Sequence, residues 1–314
     1  MKTVLFVTHP ASQCGVYQYG YNTAMVLKES AMFNFIHVEC TRPADLQAHI
    51  LRHSPRVIVY NYHVGVLGWA TDGLLQQYPH IKSAFIQHEY HQPVPASASL
   101  VISQDPTDEE TERVVPVPRV LHDYARPVPI NSVLTIGTFG FGLADKGFDR
   151  LVSVVCEEFD DAVVRLHIPF AKFGDGDGRQ ARGWADLARS KATKPSVQVV
   201  VDHDWFSKDQ LLEFLAGNDL NAFFHGPHPN RGNSGTLDFA LSVPRPLAIT
   251  QSSMFKHVWT QVPEITIEKN SLRSILDLGL TPLAELKRQW SRKNLRTKYE
   301  NIVSSLLSEE TAHV

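Results

Sequence analysis

Short apolar runs recur along the chain, each followed by a polar turn and then by a stretch in which apolar residues return every third or fourth position. TVLFVT leads through HPASQCGVYQYG into YNTAMVLKES; FNFIHVEC leads into ADLQAHILRH; RVIVYNYH leads into GLLQQYP; SAFIQHE and LVISQD follow. The short runs, rich in β-branched residues, predict strands, and the wider spacing predicts amphipathic helices. Strands that alternate with helices form parallel sheets covered on both faces, so an α/β fold is expected.

Between about 114 and 132 the pattern breaks into the proline-rich VVPVPRVLHDYARPVPINS, which sustains neither a helix nor a central strand. The alternation then restarts with VLTIGTFGF, the helix KGFDRLVSVVCEEF and the strand AVVRLHIPF. The loop FGDGDG, the helix RGWADLARSK and the strand VQVVVDH follow, then SKDQLLEFLAGN, LNAFFHG, PHPNRGNS, GTLDFALSV and PLAIT. Two similar α/β units in tandem are predicted, 1–125 and 126–287, each long enough to bury its own core. The stretch PLAELKRQWSRKNLRTKYENIVSSLL predicts one or two amphipathic helices, and a C-terminal helix over about 288–314 can pack back on the first unit. Its basic residues read as a solvated face, with contact at a membrane surface left open.

Composition narrows the function classes. With 43% hydrophobic and 20% charged residues in 314, the chain has the balance of an ordinary globular protein. A formal net charge of -3 gives no basic footprint for nucleic acid. Cys14, Cys40 and Cys156 are too scattered for a disulfide framework or a paired-cysteine zinc site, which fits a reducing compartment. MKTVLFVTHP reads as a first strand rather than a leader, and no apolar stretch approaches the roughly 18 residues needed to cross a bilayer. A soluble, cytoplasmic protein is expected.

Ligands of open parallel sheets bind beyond the carboxyl ends of the strands, so the chemistry is sought in the loops there. In the loop from His9 to Tyr19, Gly15 allows close backbone approach ahead of a helix N-terminus, or simply serves a turn. In IQHEYHQP, His88, Glu89 and His91 can hold a metal, move a proton, bind a polar substrate or bond within the structure, and spacing alone does not decide. In TIGTFGFGLADKGFDRL, Gly137, Gly140 and Gly142 precede Lys146 at the start of a helix, an arrangement that suits a diphosphate. These glycines fit neither the dinucleotide fingerprint nor a Walker loop, where Ser or Thr would replace Gly147. In PHPNRGNSGTLDFALSV, Asn233, Ser234, Gly235 and Thr236 stand at a helix start suited to phosphate oxygens, with Arg231 before them and Asp238 one turn on.

Together GVYQYG, VVPVPRVLHDY, TFGFGLADKGFDRL, DWFSKDQLLEFLAGNDLNAFF and SGTLDFALSVPRPLAIT, spread over most of the chain, resemble segments of the GT-B glycosyltransferases, in particular the large retaining nucleotide-sugar family. The resemblance implies two tandem Rossmann-like domains facing across a cleft, the acceptor on the first and the donor on the second. It implies that Lys146 binds the donor diphosphate and that His88 lies near the transferred sugar. The sequence departs from that family where it usually carries an arginine, here Phe141, and two glutamates, here Arg231 and Phe239. Asp238 is expected to take over the ribose-binding carboxylate, and Arg231 the missing charge.

The expected activity is therefore sugar transfer from a nucleoside diphosphate sugar to a glycan or other hydroxyl acceptor, retaining and without metal or cofactor. Catalytic roles fall to His88, Lys146 and Arg231. Donor binding falls to Gly15, Gly140, Lys146, Asn233, Ser234, Gly235, Thr236 and Asp238. HVGVLGWATDG and FGDGDG are candidate acceptor loops. Two other classes share the architecture: a binding module without catalysis, and a nucleotide-sugar epimerase. A nicotinamide-dependent oxidoreductase is disfavoured, since neither half shows the glycine fingerprint with an acidic residue about 20 positions on.

Overall fold

A computed structural model describes residues 1–308 except 173 and 230. Of these, 1–120, 231–233 and 289–308 make up one compact unit, unit 1, and 121–229 with 234–288 make up the other, unit 2. The first stretch runs β1 (Lys2–Thr8), α1 (Gly15–Leu27), β2 (Phe33–Glu39), α2 (Pro43–His53), β3 (Val57–Tyr62), α3 (Val64–Leu67), α4 (Asp72–Leu75), β4 (Lys82–Gln87), β5 (Leu100–Ser103) and β6 (Val114–Pro116). The second runs β7 (Thr135–Phe139), α5 (Phe148–Glu158), β8 (Ala162–His167), α6 (Arg179–Ser190), β9 (Val197–Asp202), α7 (Lys208–Ala216) and β10 (Leu220–Phe223). It continues through α8 (Thr236–Ser242), β11 (Leu247–Ile249), α9 (Lys256–Trp259), α10 (Leu272–Leu278) and α11 (Ala284–Gln289), and the last described helix is α12 (Arg292–Ser308).

The sheet of unit 1 is parallel throughout, in the order β2-β1-β3-β4-β5-β6. Period-two alternation divides its side chains between two cores. Val4, Phe6, Val57, Val59, Ala84 and Ile86 enter one cluster; Leu5, Val7, Ile58, Tyr60, Tyr62 and Phe85 enter the other. Strands buried on both faces read as continuous apolar runs, which is why these segments carry so little polar alternation. Helix α12 supplies Leu295, Tyr299, Ile302, Val303 and Leu306 to the first cluster. Leu295 is fully buried there. Leu295→Ala is expected to cost about 2–5 kcal/mol, the range for an aliphatic cavity in a packed core, read as a lower urea midpoint with an unchanged slope.

Unit 2 holds a second parallel sheet, in the order β11-β10-β7-β8-β9. Helix α5 buries Phe148, Leu151, Val152, Val155 and Cys156, one apolar stripe at helical spacing. From β7 the chain moves out to β8 and β9, then returns to the other flank for β10 and β11. The strand order therefore reverses between β7 and β10, and the crevice at the carboxyl ends of that pair is where such a sheet takes a ligand. In unit 1 the corresponding reversal lies between β1 and β3.

Three local expectations are corrected. GVYQYG is not loop: α1 begins at Gly15, and Gly20, packed against the Asn61 amide and Thr8, lets the helix lie close on β1 and β3. Lys146 is not yet helical, since α5 starts at Phe148 after Gly147 takes a left-handed conformation, φ 68°. HVGVLG contains a short helical turn, α3, with the His63 side chain accepting from the Gly65 N–H.

Candidate functional site

At the reversal in unit 2, the loop after β7 is joined to the loop after β10. The Gly226 N–H donates to the Asp145 carbonyl at 2.7 Å, and the Asp145 carboxylate lies 3.3 Å from His228 Nε2. A Cβ on Gly147 would overlap the Phe224 carbonyl oxygen, so the two loops meet this closely only because that position is glycine. The aliphatic stem of Lys146 runs past Gly140, whose added Cβ would come 3.6 Å from the lysine Cδ. The Lys146 ammonium reaches His225 Nε2 at 3.5 Å. A half-buried cation thus stands at the strand ends where the sheet order reverses, in surroundings that strengthen its pull on an anion.

The start of α8 is arranged differently from what its sequence suggests. Ser234 donates its N–H to the Met254 carbonyl, and its hydroxyl bonds Thr236 Oγ1 at 2.9 Å. Thr236 is buried as well, and Gly235 is the exposed residue of the three. Asp238 is buried in the first turn of α8 with its carboxylate turned towards Gly235, a position that the helix dipole favours for a negative charge. Asn233 and Arg231 do not belong to this unit at all. Both group with unit 1, where Asn233 Nδ2 donates to the Gln104 carbonyl and Arg231 lies 4.0 Å from Glu89. The carboxylate of Glu89 is the charge beside Arg231 within unit 1. Phe141 stacks on the exposed Trp205, with ring centroids 6.1 Å apart, and Phe239 packs on His122 at 4.5 Å.

In unit 1, His88 follows β4 and its tautomer can be derived. Asn61 Nδ2 donates to the Val16 carbonyl at 2.7 Å, which fixes the amide and leaves Oδ1 as acceptor. His88 Nε2, 2.7 Å from that oxygen, must therefore carry hydrogen, so in the neutral ring Nδ1 is the acceptor. Burial, then the guanidinium of Arg119, hold His88 well below the ordinary histidine pKa. Glu89 receives the Gly232 N–H at 2.7 Å and lies 3.8 Å from His63. His88 and Glu89 thus face separate partners, and no group of three metal-ligating side chains occurs among the described residues. Gly15 begins α1 with open space where a Cβ would stand.

The sequence reading missed His225 and Asn61. Each had a signal: Asn61 is a polar residue inside the apolar run VIVYNYH, and His225 directly follows the last apolar residues of LNAFF. A fully buried amide needs partners, and Asn61 has them in Val16 and His88.

Burial also sets a pH limit on stability. His9, His88 and His225 are all held below the ordinary histidine value chiefly by burial. Burial takes His167 down to about 4, although Asp202 pulls the other way. Below about pH 6.5 the unfolded chain binds protons at these positions that the folded chain does not, so stability is fully present above that pH and is lost as pH falls towards 4. Each such ring contributes at most about 1.4 kcal/mol per pH unit. Urea midpoints are expected to be flat from pH 7 to 8 and to drop steeply from 6.5 to 5; a flat profile through pH 5 would show that these rings accept protons in place.

No protein-family model matches the sequence, and no curated protein matches it. Solved structures do. HepE of Anabaena, in complex with UDP and glucose, matches with a TM-score of 0.68 at 12% identity, over 97% of this chain and 100% of that one. A glycosyltransferase from Rickettsia africae matches with 0.60 at 12% identity, over 99% and 97%. The trehalose-6-phosphate synthase OtsA matches with 0.63 at 10% identity, over 98% and 99%. At this identity the likeness is one of fold: the two tandem Rossmann-like domains of GT-B glycosyltransferases.

Proposed function

We propose that a chain with this fold transfers a hexose from a nucleoside diphosphate sugar to a hydroxyl acceptor, with retention, without a metal, and in the cytoplasm as a step in glycan or glycoconjugate synthesis. The observation that carries the reading is the Lys146 ammonium at the reversal of the unit 2 sheet, next to His225 and over Gly140. As the glycosidic bond to the donor breaks, negative charge collects on the leaving diphosphate. A cation already in place at low dielectric stabilises that charge without reorganising, so it acts more strongly on the transition state than on the bound donor. Gly140 leaves room for the diphosphate, Gly235 offers exposed backbone at α8, and the Asp238 carboxylate serves the ribose. In unit 1, His88 presents a neutral imidazole at the strand ends and serves the transferred sugar or its acceptor by hydrogen bonding rather than by charge.

HepE is bound to UDP-glucose in one matching structure and another, from E. coli, holds UDP-2-fluoro glucose, which makes UDP-glucose the first donor to try. The absence of glutamate at Arg231 and Phe239 favours a second reading, a donor-binding module that has lost transfer. Thermal shift against nucleoside diphosphates and their sugars, followed by product analysis with and without acceptors, separates the readings. A ligand at 100 times its dissociation constant adds about 2.7 kcal/mol of stability. Stabilisation with a new glycoside supports transfer, stabilisation without any product supports the module, and conversion of donor alone supports an epimerase. No stabilisation by any nucleotide sugar contradicts all three.

A further inference from the structure

The loop after β10 holds a group that the resemblance did not anticipate. His225 is 2% exposed, packs against Phe255 in a tilted ring pair with centroids 4.5 Å apart, and has its Nε2 3.5 Å from Lys146 Nζ. Its other nitrogen, Nδ1, has no hydrogen-bond partner among the described residues. Because an ammonium can only donate, the lone pair of the neutral ring faces Lys146 at Nε2 and the hydrogen sits on Nδ1. Among the described residues the charged and titratable groups acting on this ring are Lys146 on the loop after β7 and His228 on its own loop, itself 3.3 Å from Asp145. Phe223 and Phe255 bring no charge.

An anion that settles against the lysine changes this balance. It accepts from Nζ and sets its oxygens beside Nε2, where a lone pair would repel them and an N–H would bond them. We propose that His225 is a second group that binds the donor diphosphate, and that it does so as an imidazolium, taking one proton from solvent onto Nε2 as the anion arrives. Two N–H donors about 3.5 Å apart then converge on neighbouring phosphate oxygens. The chain thereby gains, only when donor is bound, the second positive charge that Phe141 does not supply. Burial and the nearby lysine keep the ring neutral in the free protein, and both effects are outweighed by a diphosphate in contact.

The inference rests on unit 2 being the donor site, and the test separates the two claims. Calorimetry is run on the whole chain at about pH 7.5 with UDP-glucose, GDP-mannose and ADP-glucose, whose diphosphates do not titrate near neutrality, in two buffers of different ionisation enthalpy. For whichever donor binds, the heats are expected to report uptake approaching one proton. Wild-type affinity should fall about tenfold per pH unit as pH rises from 7 to 8. His225→Gln keeps an acceptor for Lys146, and is expected to lose both the uptake and the pH dependence. Binding without uptake in the wild type, or uptake retained in His225→Gln, overturns the role of His225 and leaves the donor site standing. Binding by none of the three donors overturns the donor site, and this inference with it. The wild-type measurement decides the matter even where the variant fails to fold.

Discussion

Lys146→Ala is expected to lower sugar transfer by roughly 30- to 1000-fold, equivalent to about 2–4 kcal/mol of transition-state stabilisation, while leaving the fold intact. The size follows from what the ammonium does: it offers a preformed charge to a diphosphate whose negative charge grows as the bond breaks. The tolerance of the fold follows from its setting, since Lys146 is half-buried at a loop and its stem covers Gly140 rather than filling a core. The loss should fall on kcat more than on KM, because the interaction strengthens in the transition state. Lys146→Arg keeps the charge but changes its shape, and is expected to recover only part of the rate. Steady-state kinetics on the purified variants reads all of this; full activity in Lys146→Ala would remove the lysine from the mechanism.

The second large effect concerns backbone. Gly147 sits in the left-handed region at φ 68°, and an added Cβ would overlap the Phe224 carbonyl. Gly147→Ala should therefore cost roughly 2–6 kcal/mol, combining about 1–3 for the strained conformation with about 1–3 for overpacking. The loops after β7 and β10 would have to part, breaking the Gly226 to Asp145 hydrogen bond and moving Lys146 from His225. Donor binding and melting temperature should fall together. Gly15→Ala, where a Cβ meets open space, is the matched control and should change stability little.

How far the sequence revealed this arrangement depends on the kind of signal. The strands were legible because segments such as TVLFVT and RVIVYNYH are buried on both faces and so are apolar almost without interruption. Helix α5 was legible because its stripe at 148, 151, 152, 155 and 156 has helical spacing. The start of α1 was not, because GVYQYG is rich in residues that serve turns equally well, and the close fit of Gly20 on Asn61 is a tertiary contact that no local pattern shows. Lys146 was found because glycines and a lysine after a strand have a chemical meaning in sequence. His225 was not, because its significance lies in a lysine 79 positions away. The place of Ser234 before a helix is visible in the sequence, but its bonds to Met254 and Thr236 are contacts no local pattern announces.

The most direct examination of the claim is a crystal structure of the chain soaked with a nucleoside diphosphate. The phosphate oxygens are expected within hydrogen-bonding reach of Lys146 Nζ, beside the glycine turn at 140–147. A nucleotide seated elsewhere on the molecule, with that turn unoccupied and the lysine still directed at His225, would contradict the account.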